Sequence, residues 1–506
     1  MSERLLSFPL ILILTGISGL MMFLPAIDGL MRGDMLVARV FFNSGVLGIM
    51  LTLVIGLAMS GPHRRAASNT QNLFSLLLAY LLLPFYLAVP FSECVNNTTY
   101  LNVWFEMVSS LTTTGATLYD APGRIVDTLH LWRALVGWGG GLLIWVSASA
   151  VLAPLNLGGF EVTARAEPGQ GDTMEGRFER AKPARRLAQA AATLGPVYIG
   201  LTGALWIILM MGGERAFVAL IHAMSTMATS GISSIGGVQN GASGFAGEFA
   251  IFLFLLFALS RLTFSSDLVT TARPGVIHDP EFRLGVLLVL GVPLVLLLRH
   301  WIAALDVADV RDPGLWLRSL WGGMFTVLSF LSTAGFQSAD WQTARAWSGL
   351  GTPGLTLLGL SLMGGGVATT AGGVKLLRVY ALYLHGRREV ERLVYPSSVG
   401  RNTGLGRRIR RQGAYIAWIF FMLFAMSVTV VTALLGLFGQ DFEAALILTI
   451  SGLSTTGPLV QAASETPIRL IELSAGAKIV YAVAMVLGRL ETLALIALLN
   501  PAVWRD

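Results

Sequence analysis

Long stretches without a single charge dominate this chain: 5–27, 40–62, 66–92, 134–160, 187–213, 346–374 and 412–440. A helix needs about 20 apolar residues to cross the hydrocarbon core of a bilayer. In lipid every backbone N–H and C=O must be bonded inside the spanning structure, so runs of this kind are read as transmembrane helices. A shorter run, 284–298, is passable. Two more, 249–271 and 478–504, span only if Arg261, and Arg489 with Glu491, are accepted inside a helix. The sum is about ten spans of an all-α polytopic membrane protein. Composition agrees: 13% of residues are charged, against about 25% in a soluble chain. That is too little charge to coat soluble domains, so soluble, disordered and fibrous classes are excluded. The single cysteine, Cys94, excludes an internal disulfide and a cysteine metal site.

The net charge of +6 is read as the basic bias of cytoplasmic loops, with no nucleic-acid partner expected. His63, Arg64 and Arg65 fill one short turn. Arg165, Arg177, Arg180, Lys182, Arg185 and Arg186 fill the 161–186 loop. Eight Arg against Glu389 and Glu391 fill the 385–411 loop. With ten spans this places both termini in the cytoplasm.

Four further stretches, around 100–118, 216–236, 319–339 and 444–460, carry no Asp, Glu, Lys or Arg except Glu106, are mostly apolar for about a dozen residues and then turn to Ser, Thr and Gly. That length suits a re-entrant segment better than a span. Their ends resemble one another: Thr113-Thr114-Gly115, Thr229-Ser230-Gly231, Thr333-Ala334-Gly335 and Thr455-Thr456-Gly457. Each has a serine six residues before the glycine: Ser109, Ser225, Ser329 and Ser451. The unit of span, short helix, loop and span thus recurs four times after an N-terminal helix pair. The expected boundaries are 1–65 for the pair, then 66–160, 161–275, 276–395 and 396–506 for the four repeats. Internal repetition fixes architecture more firmly than any local reading. Non-helical backbone at membrane depth is tolerated only where it is buried or lines an aqueous path. Four such loops around one axis can present carbonyl oxygens that replace the hydration shell of a monovalent cation. No ring of Asp or Glu adjoins the glycines, which argues against a carboxylate site for a divalent ion.

Arg261 and Arg489 sit in otherwise apolar runs, where a charge is costly and usually faces a cavity. They follow Gly231 and Gly457 by 30 and 32 residues. The same offset from Gly335 reaches Gly364, Gly365 and Gly366, in a run that continues through Gly372 and Gly373 to Lys375. Each helical glycine costs about 1 kcal/mol relative to alanine, so this span is expected to break inside the membrane. Broken helices near the midplane mark ion paths. We read a constriction here, with guanidiniums facing a glycine-rich loop. The run does not match a phosphate-binding loop, since no Ser or Thr follows Lys375.

The four loops, the Gly-Gly-Val-Lys375 segment and the closing Gly-Arg489-Leu-Glu-Thr run together resemble the Trk/Ktr/HKT superfamily of potassium transporters, nearest the bacterial TrkH type. The resemblance covers nearly the whole chain. It implies K⁺ uptake across the bacterial inner membrane, with a filter at the four loops. It implies a gate at Gly364, Gly365, Gly366, Gly372, Gly373 and Lys375, opposed by Arg489. It also implies a homodimer and a cytoplasmic ring of nucleotide-binding regulatory subunits. No dinucleotide fingerprint occurs here, so nucleotide would act through that partner. Arg261 is not part of the family pattern. The alternatives are a Na⁺- or H⁺-coupled K⁺ symporter, and an intramembrane enzyme using His222, Glu106 or Glu491; no nucleophile–base pair supports the latter.

Overall fold

The computed structural model describes residues 8–59, 69–155, 157, 159–160, 183–260, 277, 279–303, 313–348, 354–395, 411–464, 466 and 468–491. Every regular element among them is helical. Arg261, most of the 161–186 loop, the 396–410 part of the third basic loop and the last run beyond Glu491 lie outside the described residues.

Among the described residues, seven helices are long and apolar enough to cross a membrane: Leu10–Met31 (α1), Met35–Ala58 (α2), Gln71–Cys94 (α3), Asp127–Leu152 (α5), Arg185–Met211 (α6), Pro280–Leu298 (α9) and Gly413–Leu437 (α14). The remaining expected spans are broken helices. The run 346–374 contains only Gly354–Met363 (α12) as helix before an irregular stretch. The run 249–271 begins in Gly244–Leu255 (α8), tightens into one 3-10 turn over Leu256–Leu259, and turns extended at Ser260. The run 478–504 begins in Ala475–Leu490 (α16) and breaks at Glu491, whose φ is +63°. Glu491 is therefore not mid-helix, contrary to the reading from sequence. It leaves the helix to reach a partner described below.

Four shorter helices precede the Ser/Thr–Gly loops: Tyr100–Leu111 (α4), Ala216–Ala228 (α7), Pro313–Leu331 (α10) and Phe442–Leu453 (α15). Three have the expected dozen or so residues. The third is longer, at 19 residues. Pro313 opens it, where a proline's fixed φ suits the first helical turn. The 341–395 region adds Trp341–Ser348 (α11) and Leu376–Val394 (α13).

The short helices are packed in a consistent cycle. Helix α4 lies against α3 and α5, and also against α16 from the far end of the chain. Helix α7 contacts α5, α6 and α8; α10 contacts α8, α9 and α12; α15 contacts α12, α14 and α16. Each short helix thus touches its own flanking pair and the last helix of the preceding unit, and α16 on α4 closes the circle. Burial follows: 78% of the apolar window of α5 is inside the protein, against 28% for α1 and α2. The exposed leucines, isoleucines and phenylalanines of α1, α2 and α14 form the apolar outer surface expected of a lipid-facing wall.

Candidate functional site

Each short helix ends in the same hydrogen-bond pattern. The residue before the glycine donates to the carbonyl of the serine five residues earlier: Thr114 to Ser109 (2.9 Å), Ser230 to Ser225 (3.0 Å), Ala334 to Ser329 (2.9 Å) and Thr456 to Ser451 (2.9 Å). The preceding threonine donates three residues back: Thr113 to Ser110, Thr229 to Thr226, Thr333 to Phe330 and Thr455 to Gly452. Together these bonds form the Schellman end of a helix. What is unusual is the residue in the left-handed position. It is normally glycine, but here it is Thr113, Thr229, Thr333 or Thr455, with φ of +55°, +49°, +62° and +54°. A β-branched residue with positive φ is a genuine outlier, and such strain costs on the order of 1–3 kcal/mol per site. Four equivalent outliers are a shared feature of the loops.

The glycines then bring the four loops into contact. Gly115, Gly231 and Gly335 have φ of +73°, +67° and +78°. A methyl group on Gly115 would collide with the Ser230 carbonyl oxygen, and one on Gly231 with the Ala334 carbonyl oxygen. One on Gly335 would lie 3.0 Å from the Pro458 ring, and one on Gly457 would strike the backbone of Ala116. Gly457 N–H also donates to the Thr114 carbonyl at 2.6 Å. Loop one thus abuts two, two abuts three, three abuts four, and four abuts one. Gly457 does not share the positive φ of the other three. Pro458 follows it and restricts its backbone to extended angles. Of the twelve loop residues only Gly231 is not fully buried.

The glycine-rich segment lies against this ring. Val374, Lys375 and Leu376 N–H donate to the carbonyls of Leu362 (3.0 Å), Met363 (2.9 Å) and Gly365 (3.0 Å), pinching the segment into a closed loop. A Cβ on Gly373 would sit 2.6 Å from Gly364 Cα, so the neck admits no side chain there. The loop body is held from several sides. Gly366 N–H donates to Ala258 O (2.9 Å), in the 3-10 turn that follows α8. Val367 N–H donates to Glu281 Oε1 (3.2 Å). Gly372 N–H donates to Thr333 Oγ1 (2.8 Å). Thr370 Oγ1 bonds Thr229 Oγ1 and the Met227 carbonyl, both at 3.2 Å. Arg489 Nη1 donates to Thr370 O at 2.7 Å, while its Nε and Nη2 are buried without a hydrogen-bond partner. Lys375 Nζ turns back onto the Ala371 carbonyl.

Below the neck, Arg378 is fully buried. Its Nη2 donates to Glu491 at 2.6 Å, its Nη1 to Val374 O at 3.1 Å, and its guanidinium carbon lies 3.7 Å from the Phe420 ring centre. Glu491, at a helix break with φ +63°, is thereby joined through one arginine to the Val374 carbonyl, next to the helix break at Lys375 with φ +83°. Burying charges is tolerated only when they are paired and hydrogen-bonded.

The sequence reading missed a third set of residues, nine positions before each glycine. Glu106 accepts from Thr117 Oγ1 (2.9 Å) and Leu118 N–H (2.5 Å), and pairs with Arg133 at 3.0 Å. His222 Nε2 bonds Ser233 Oγ at 2.9 Å. Thr326 Oγ1 accepts Ser338 N–H at 3.3 Å. In each case the short helix grips the chain two or three residues past its own glycine. The fourth position is Leu448, and there Pro458 stiffens the loop instead. Glu106 and His222 had drawn attention as possible catalytic groups; both are spent on this grip. The spacing to the glycine was the signal that could have found them. Glu281 and Arg378 had no such signal, since their partners are remote in sequence.

A family model for TrkH, described as a cation transport protein, matches residues 277–503. The Trk system potassium uptake protein TrkH of Vibrio parahaemolyticus is 30% identical over 460 residues, covering 88% of this chain and 88% of that one. Its namesake in Salmonella typhimurium is 30% identical over 467 residues, covering 90% and 91%. The crystal structure of the potassium transporter TrkH from Vibrio parahaemolyticus superimposes with a TM-score of 0.80 at 25% identity, over 100% of both chains. With relatives this similar over nearly their whole length, this integral membrane protein belongs to the TrkH family.

Proposed function

We propose that the chain carries K⁺ through the ring formed by Thr113–Gly115, Thr229–Gly231, Thr333–Gly335 and Thr455–Gly457. In this reading the ring is the selectivity filter and the 364–373 loop, with Lys375 and Arg489, is the gate. The observation that carries it is the closed contact of four equivalent loops, glycine against backbone. In three of the four loops the residues on either side of Thr114, Ser230 and Ala334 have positive φ, and in this reading that turn aims carbonyl oxygens at the axis. Carbonyl oxygens so arrayed can replace the water around a monovalent cation. The glycine-rich loop, pressed against the ring and tethered by a buried arginine, supports a closed gate. The names of the relatives, potassium uptake proteins, support K⁺ as the cargo. We place the protein in the bacterial inner membrane with both termini cytoplasmic, as a homodimer regulated by a cytoplasmic nucleotide-binding partner. The boundaries 65/66, 160/161, 275/276 and 395/396 mark the proposed units. Transport, with no chemical turnover, is the whole activity in this reading.

The test is tracer Rb⁺ uptake into K⁺-loaded proteoliposomes, with external K⁺ or Na⁺ as competitor. Flux suppressed by K⁺ and untouched by equal Na⁺ supports the reading. Equal suppression by both ions, in a protein that conducts, overturns the K⁺ filter.

A further inference from the structure

The left-handed threonines do more than end their helices. Three of the four lie directly on the glycine-rich loop. Thr333 Oγ1 accepts Gly372 N–H at 2.8 Å. Thr229 Oγ1 bonds Thr370 Oγ1 at 3.2 Å, and that same hydroxyl also reaches the Met227 carbonyl. Thr455 sits so close to Gly372 that any side chain on Gly372 would strike its hydroxyl. Thr113 has no such contact, and the Oγ1 atoms of both Thr113 and Thr455 are buried without a hydrogen-bond partner. Three of the four strained threonines thus carry the contact with the loop as well.

We infer that Thr333 and Thr229 are positioning residues that latch the glycine-rich loop to the loop ring, so that the loop cannot leave without breaking both contacts and freeing the Thr333 hydroxyl. This rests on the K⁺-path reading above and specifies how gate and filter communicate. Arg489 grips the loop at the Thr370 carbonyl, one atom group away from the Thr370 hydroxyl held by Thr229. The latch and the arginine therefore act on one residue from two sides. When the loop withdraws, the Thr333 hydroxyl becomes available to the ion path, beside the unpartnered hydroxyls of Thr113 and Thr455, while Thr229 Oγ1 keeps its bond to the Ala228 carbonyl at 2.8 Å. A buried hydroxyl left without a partner is costly. Transfer of its bond from loop to ion or water avoids that cost, which makes the exchange reversible.

The experiment is Rb⁺ flux in full-length protein carrying Thr333→Val, Thr333→Ser or Thr370→Val, each verified as monodisperse and of wild-type size by gel filtration. Thr333→Val keeps the shape and removes the hydroxyl. It should raise basal flux about 5-fold, the equivalent of ~1 kcal/mol at 1.4 kcal/mol per decade. Thr333→Ser, with the hydroxyl restored, should fall back toward wild-type flux. Thr370→Val, outside the ring, should raise flux in the same direction and decides the matter if Thr333→Val does not fold. Folded valine variants at or below wild-type flux overturn the latch, while K⁺-selective flux in the wild type would leave the K⁺ path standing. Silence in the wild type and in both valine variants overturns the path and the latch together.

Discussion

At the residue scale, glycine is required where a backbone meets another backbone. Gly115 has no room for a methyl group beside the Ser230 carbonyl, and its φ of +73° penalises any side chain. Gly115→Ser should therefore distort the ring and reduce discrimination of K⁺ over Na⁺, read as a Na⁺ competition curve shifted toward that of K⁺ in the Rb⁺ assay. Arg489 is the second sharp case. One of its nitrogens holds the Thr370 carbonyl, and its charge also lies beside Tyr80, Tyr198 and Glu491. A hydrogen bond to a charged group is worth about 1.5–3 kcal/mol. Arg489→Ala should raise basal Rb⁺ flux by about tenfold or more, and unchanged flux would remove arginine from the gate.

At the element scale, all four inner helices lose their regular helical form at similar distances in sequence from their glycines. Helix α5 passes into a π turn at Ala148–Leu152, α8 turns extended at Ser260, α12 stops before Gly364, and α16 stops at Glu491. These breaks lie 33, 29, 29 and 34 residues after their glycines, from 148−115, 260−231, 364−335 and 491−457. Breaks of this kind need side chains or neighbouring backbone to satisfy the freed groups. Ala258 O is taken by Gly366, and Val374 O by Arg378. Glu491 is the hinge of this arrangement, because it pairs with the buried Arg378 guanidinium at 2.6 Å. Glu491→Ala should cost about 3–5 kcal/mol, the usual loss when one partner of a buried ion pair is removed. Thermal unfolding in detergent would reveal it as a clear fall in midpoint. The same reasoning applies to Glu106, 0% exposed and bound to Arg133. Glu106→Ala should destabilise the protein by a similar amount, and a stable Glu106→Ala variant would contradict the proposed grip on the first loop.

At the scale of the whole molecule, the ring closes between residues hundreds of positions apart. Lys478 on α16 donates to Asn102 Oδ1 on α4 and to the Ile471 carbonyl, both at 2.9 Å. Lys478→Met should strand the Asn102 side chain and lower stability by about 1.5–3 kcal/mol. The N-terminal pair is attached differently. Arg32 reaches Asp28 and Asp127 and lies 4.5 Å from the Phe217 ring centre, but this cluster is partly exposed. Arg32→Ala should change stability by at most about 1 kcal/mol and leave Rb⁺ flux unaltered. A strong flux defect would show that the pair is coupled to the path.

The membrane-spanning class, the four glycine loops and the break at 364–373 were legible in the sequence because each has a local physical cause. Uncharged runs force helices in lipid, and clustered glycine weakens a helix whatever surrounds it. The serine–glycine spacing repeated often enough to be recognised without any contact. Tertiary structure alone decided which residues meet. No local rule places threonine in a left-handed turn, since the isolated chain disfavours it; packing on the glycine-rich loop and on neighbouring loops holds it there. The pairing of Arg378 with Glu491, 113 residues apart, and of Glu281 with Val367, 86 apart, is equally invisible in sequence. A charge in an apolar run announces that a partner exists. Which partner it finds depends on how the helices close around the axis, and that is fixed only when the circle from α16 back to α4 is complete.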